Sequence, residues 1–123
     1  MTHTETIELT AEMIISADDI TMERVEIPDW GGHVFVRVMS GSERDRMEQA
    51  CLSASGDGLA APENFRALLA VACCCNASGD RLFTAEQAAS LAEKSSTALD
   101  LIFAVALRIN KMSDRDVEDL AGK

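Results

Sequence analysis

The sequence predicts a mainly α-helical domain that opens with a small β-hairpin, α+β by strict count. Three observations predict it. Two alternating apolar runs flank the turn-forming segment Pro28-Asp29-Trp30-Gly31-Gly32. Residues 40–121 then carry repeated capping signals, each followed by apolar residues at helical spacing. The whole is 123 residues, one domain's worth, long enough to bury roughly two-thirds of the surface its unfolded form exposes. The expected organisation is an acidic, partly ordered N-terminal arm over 1–21, then a single domain over 22–123. In that domain a hairpin at 22–39 packs on a compact bundle of about four to five short helices within 42–121.

Residues 1–20 admit two readings. Ile7, Leu9, Ala11, Met13 and Ile15 alternate as in a strand, whereas Thr10 before Ala-Glu-Met-Ile-Ile is placed to cap a helix. A helical turn around 10–16 is the expectation. Next, Val25 and Ile27 alternate with Arg24 and Glu26. Pro28 stops ladder bonding and the paired glycines permit positive φ. Val34, Val36 and Val38 follow on one face, with Phe35, Arg37 and Met39 on the other. A lone hairpin is marginal in water, so the valine face is expected to lie on the helices.

Ser40-Gly-Ser-Glu43 has the spacing of a capping box, and Met47, Ala50, Cys51 and Ala54 recur on one helical face behind it. Residues 53–62 read as a loop. A helix opening at Pro62 or Glu63 carries the stripe Phe65, Leu68, Leu69, Ala72 and Cys75, and ends at Asn76-Ala-Ser-Gly79-Asp. Thr84-Ala-Glu-Gln87 is a second capping box, opening a short helix that ends near Glu93. Ser95-Ser-Thr97 then caps residues 98–109, in which Asp100 is the one polar residue between Ala98 and Leu107. A helix apolar almost all round is expected to be central. Ser113 and Asp116 open a last short helix with Val117 and Leu120, closed by Gly122.

Charge narrows the function. The chain carries 21 acids against 11 bases, a net charge of −10. Such a surface repels a phosphate backbone, and 4% aromatic residues with no Tyr leave few stacking platforms, so nucleic-acid binding is disfavoured. Residues 1–30 hold eight of the acids and one base, Arg24. That block reads as a solvated arm, or as one that steers a basic partner. The N-terminus lacks the basic and apolar regions of a signal peptide, and the longest apolar run, residues 101–107, falls well short of the roughly 20 residues of a membrane span. A soluble cytoplasmic protein without membrane contact is expected.

Little in the sequence suits bond-making chemistry. Cys73, Cys74 and Cys75 are consecutive, and neighbours on a helix point about 100° apart, so they cannot converge on one metal. No pair has zinc-site spacing, and His3 and His33 lie far from the cysteines in sequence. The cysteines read as small apolar packing residues of a reducing compartment. Asp114, Asp116, Glu118 and Asp119 lack the glycine and distal glutamate of a calcium loop. There is no phosphate-binding glycine loop and no nucleophile elbow. No enzymatic activity, metal or cofactor is expected. Trp30 packs at the hairpin turn or stands as an exposed anchor, since Trp is enriched at interface hot spots. His33, Phe35 and Met39 would extend such a partner-binding patch along one strand face.

The order of these pieces resembles a known family. SADDI, then VEIPDWGGHVFVRVMSGSERD, NFRALLAVACC, DRLFT, EKSSTALDLIFAVALRIN and MSDRDVEDL, over residues 14–121, together resemble the tail assembly chaperones of long-tailed bacteriophages and prophages. The resemblance implies a non-catalytic protein of the host bacterial cytoplasm that binds the tape measure protein and recruits tail tube protein subunits. It implies absence from the finished virion and leaves room for self-association. A structural tail adaptor or connector retained in the virion is the alternative. Members are often also made in an extended form by a ribosomal slip, and Ala121-Gly122-Lys123 can be encoded by runs of G and A that permit one.

Overall fold

The structure, a computed structural model, describes residues 6–54 and 65–112. Its described elements are helix α1 (Ala11–Ile15), strands β1 (Met22–Ile27) and β2 (Gly32–Arg37), helices α2 (Gly41–Ala54) and α3 (Phe65–Cys73), strand β3 (Cys74–Cys75), and helices α4 (Ala88–Ala92) and α5 (Ser96–Ile109). The fold is mixed α+β and mainly helical. Most of the segment read as a loop, the opening of the next helix at 62 or 63, and the last helix from Ser113 lie outside the described residues, while Ser53 and Ala54, read as loop, still belong to α2. Among the described residues no helix is long and apolar enough to cross a membrane.

The hairpin forms as its turn chemistry requires. β1 and β2 pair antiparallel with Ile27 opposite Gly32, Val25 opposite Val34, and Met22 opposite Arg37. A single 3-10 turn, Pro28–Trp30, joins them, and Gly31 follows it in the left-handed region at φ 70°. Opposite residues share a face. Val25, Ile27, Val34 and Val36 therefore point together into the core, where Val36 is fully buried.

One element departs from expectation. The apolar run after Phe65 does not stay helical to Cys75: the helix stops at Cys73, and Cys74 and Cys75 form a third strand on the far side of β2. Phe35 faces Cys75 and Val36 faces Cys74 across that pair. The ladder satisfies backbone groups that a buried helix end would leave bare. A tight turn then closes on Asn76, whose Oδ1 accepts from the N–H groups of Ser78 at 2.9 Å and Asp80 at 3.1 Å.

α3 is the central helix. It packs on α2, α4, α5 and β2, and all of its side chains except Arg66 and Leu68 are buried. α5 was expected there, but it covers the hairpin and α3 with Ala98, Leu99, Ile102 and Ala106 and leaves Asp100, Leu101, Ala104 and Arg108 exposed. So small a set of elements surrounds one helix on most sides, and that helix is α3. An edge-to-face pair, Phe65 and Phe103 with centroids 5.7 Å apart, ties the two helices.

The expected caps are formed. Ser40 and Glu43 bond reciprocally, with Ser40 N–H donating to Glu43 Oε1 at 2.9 Å and Glu43 N–H to Ser40 Oγ at 3.1 Å. Thr84 N–H donates to Gln87 Oε1 at 2.9 Å, starting a 3-10 turn that runs into α4. Thr10 caps α1 as read, through Met13 N–H at 3.2 Å, and no residue of that helix is buried.

Candidate partner-binding surface

The hairpin tip is fixed from beneath. Asp29 in the turn accepts from Ser95 Oγ at 2.6 Å, and the same hydroxyl accepts from Ala98 N–H to cap α5. The turn thus sits on the start of α5, holding Trp30 at a set position with 37% of its surface exposed. On the outer face of the sheet His33 and Phe35 meet edge to face, their centroids 5.6 Å apart. His33 is exposed and Phe35 half-buried beside Cys75. The Arg24–Glu26 pair, 2.6 Å apart, and Met22 share this face.

Met39 does not belong to that patch. It is 7% exposed and lies in the core cluster. Strand alternation ends at Arg37, and the chain then turns towards α2. Met39 N–H donates to Asn110 Oδ1 at 2.8 Å, which draws the residue inward. Asn110 caps the end of α5 and reaches three elements, because its Nδ2 donates to Ala106 O at 2.9 Å and approaches Arg37 O at 3.5 Å and Cys73 Sγ at 3.6 Å. Sequence reading missed this junction; an Asn just after the last apolar residue of a helix is read only as a stop signal.

The most enclosed charges lie at the start of α2. Glu43 Oε2 pairs with the Arg37 guanidinium and, at 3.5 Å, with Arg81 Nη2. Burial would raise the Glu43 pKa, but the Ser40 N–H and the two arginines outweigh it and hold the carboxyl below its ordinary value. Arg37 Nε is buried without a hydrogen-bond partner. The Glu43 carboxylate is thus fully engaged, with a capping bond and two cations, and is placed to lock β2, α2 and the segment after β3 rather than to exchange protons with a substrate.

The cysteines are equally closed off. All four are buried thiols. Burial pushes Cys73 and Cys74 up to about 12 and Cys51 up to about 11, far from a reactive thiolate at neutral pH. Cys73 ends a helix while Cys74 and Cys75 alternate on a strand, so the helical argument about their directions applies to Cys73 alone. Among the described residues no group of three or more His, Cys, Asp or Glu side chains is placed to hold a metal ion.

What the surface offers is apolar contact. Besides Trp30, Leu82 at the sheet edge and Leu101 on the open side of α5 are exposed, as are Ile7, Leu9, Met13, Ile14 and Ile15 in and before α1. A shallow groove between α2 and α3 has an apolar floor of Met47, Ala50, Leu68, Val71 and Ala72, with Ala85 at one side and Glu43, Arg46 and Arg81 on the rim. Leu68, expected in the core stripe, is half-buried and forms part of the groove.

No family model and no curated protein matches the chain. Among solved structures, the tail assembly chaperone of bacteriophage HK97 has a similar fold, with a TM-score of 0.55 and 18% identity. The match covers 80% of this chain and 94% of that one. At this identity the likeness is one of fold.

Proposed function

We propose that this protein is a phage tail assembly chaperone that binds the tape measure protein and recruits tail tube subunits without catalysing a reaction. One observation carries the proposal: the fold is similar to that of the HK97 tail assembly chaperone over 94% of that chain. The ordered motifs over residues 14–121 point the same way. A tape measure is a long, largely helical and aggregation-prone chain, and masking it takes apolar contact faces on a well-solvated body. Trp30, Leu82, Leu101 and the α2–α3 groove supply apolar contact, and a helix laid into such a groove is a common recognition mode. The net charge of −10 keeps the loaded complex in solution. Its place of action is the host cytoplasm, and the finished virion lacks it.

The test is co-expression with its cognate tape measure protein. The soluble fraction of the tape measure is expected to rise and to co-purify with this chain. An unchanged insoluble fraction would contradict the proposal. Mass spectrometry of purified particles distinguishes a retained structural adaptor: the chaperone is absent, whereas an adaptor is present at a fixed ratio to the tube protein.

A further inference from the structure

We propose that the segment following α5, residues 113–121, docks in the α2–α3 groove of its own chain and closes that groove until a partner helix displaces it. Arg46, Met47 and Ala50 of α2 line the groove with Leu68, Val71 and Ala72 of α3. The chain leaves the described residues beside the end of this groove where Glu43 stands. Met112 is buried just past α5, and Asn110 holds that end of α5 against the start of α2. Its Oδ1 accepts from Met39 N–H at 2.8 Å, and its carbonyl oxygen accepts from Arg44 Nη1 at 3.5 Å. From Glu43 to Ala50 the groove follows α2 for about 10 Å, and the helix the sequence predicts from Ser113 to Ala121 has a similar length.

Charge selects the occupant. The groove has an apolar floor with Arg46 and Arg81 on its rim. Among the described residues Arg46 has no ionic partner, and Arg81 reaches only Glu43, at 3.5 Å, an acid already held by Arg37. In a helix opening at Ser113, Val117, Leu120 and Ala121 share one seam, at i, i+3 and i+4. Successive residues turn by about 100°, which sets Asp116 on one flank of that seam, Asp114 and Glu118 on the other, and Arg115 opposite it. An apolar seam between carboxylates complements an apolar floor between guanidinium groups. The short tether from Met112 gives the segment an effective concentration of about millimolar at its own groove, so the contact forms within one copy. While it lasts, a foreign helix has to compete for the same floor.

The gating rests on the chaperone reading, but the docking is measured without any partner. Arg115→Cys carries a nitroxide on the side away from the seam; the native thiols are buried, so the label attaches at the new one. In the labelled full chain, the amide resonances of residues 46–50 and 68–72 are expected to broaden. Those of the hairpin tip, at the opposite end of α5, are expected to keep their intensity. A mixture of nitroxide-labelled chain and separate isotope-labelled chain is expected to show no broadening, which sets docking within one copy apart from docking between copies. Val117→Asp with Leu120→Asp is expected to abolish the broadening while the hairpin's chemical shifts stay in place. Arg46→Glu is expected to reduce it, and adding Asp116→Arg and Glu118→Arg to restore it. Groove resonances at full intensity in the labelled chain overturn the proposal. So does broadening that survives the paired aspartates or Arg46→Glu, or that appears in the mixture. If the segment fills its groove in about nine copies of ten, the chain with both aspartates should bind tape measure protein about tenfold more tightly. Equal affinity overturns the gating. A tape measure that binds neither chain contradicts the chaperone reading alone, because the docking is read in its absence.

Discussion

Glu43 shows how much structure one side chain can hold. Its carboxylate caps α2 through Ser40 and draws Arg37 from β2 and Arg81 from beyond β3 onto one point. Because its pKa is lowered from the ordinary value of 4.5, it contributes stability in full above that value and loses it as pH falls through the lowered one. Glu43→Gln keeps the shape and removes the charge. Urea unfolding at neutral pH is expected to show a loss of about 1–3 kcal/mol, typical when a charged hydrogen-bonding group is lost from an enclosed site. The difference should shrink at acid pH, where the wild-type carboxyl is itself protonated. The cysteines give the converse pattern. Their thiols stay protonated in the fold, with Cys73 and Cys74 at about 12, while the unfolded chain releases protons near 9.0. Stability is therefore expected to fall as pH rises from about 9 towards about 12. At neutral pH a thiol reagent should modify the described cysteines only at the rate of unfolding; rapid labelling of the native protein would contradict this.

Among the elements, α5 ends in a pair of backbone bonds that wrap its terminus. Lys111 N–H donates to Arg108 O at 3.2 Å and Met112 N–H to Leu107 O at 2.9 Å, with Lys111 at φ 53°. An L-residue with a Cβ is disfavoured there. Lys111→Gly is expected to raise stability by about 0.5–1 kcal/mol, read as a higher midpoint in denaturant with an unchanged slope; a loss would mean the Lys111 side chain makes a contact that outweighs the backbone strain. Elements governed by neighbouring residues were legible in the sequence. The hairpin follows from alternation about Pro28–Gly32, and four caps from Thr10, Ser40, Thr84 and Ser95. β3 was not, because nothing local distinguishes Cys74 and Cys75 from the helix before them; they extend because Phe35 and Val36 offer a free strand edge. Met39 was misplaced for a related reason: its burial depends on Asn110, which is distant in sequence. Trp30 and His33 were legible as surface residues of the hairpin, since turn chemistry places them, whereas the groove depends on how α2 meets α3 and leaves no local signal.

For the whole molecule, the acidic block at the N-terminus, the exposed apolar side chains and the enclosed, protonated thiols fit a protein that acts by contact. Trp30 sits on α5 through the Asp29–Ser95 bond, so its position is fixed before any partner arrives. Trp30→Ala is expected to weaken tape-measure binding while shifting the melting temperature little, because Trp30 lies outside the buried core cluster; a calorimetric titration of wild type and variant checks this, and equal affinities would remove Trp30 from the interface. The central claim is that this chain masks another polypeptide's apolar surface. Its most direct test is light scattering as denatured tape measure protein is diluted into buffer with increasing amounts of this protein. Scattering should fall progressively and vanish near a fixed stoichiometric ratio. Scattering that is unchanged at every ratio, or lowered equally by an unrelated acidic protein of the same size, would contradict the account.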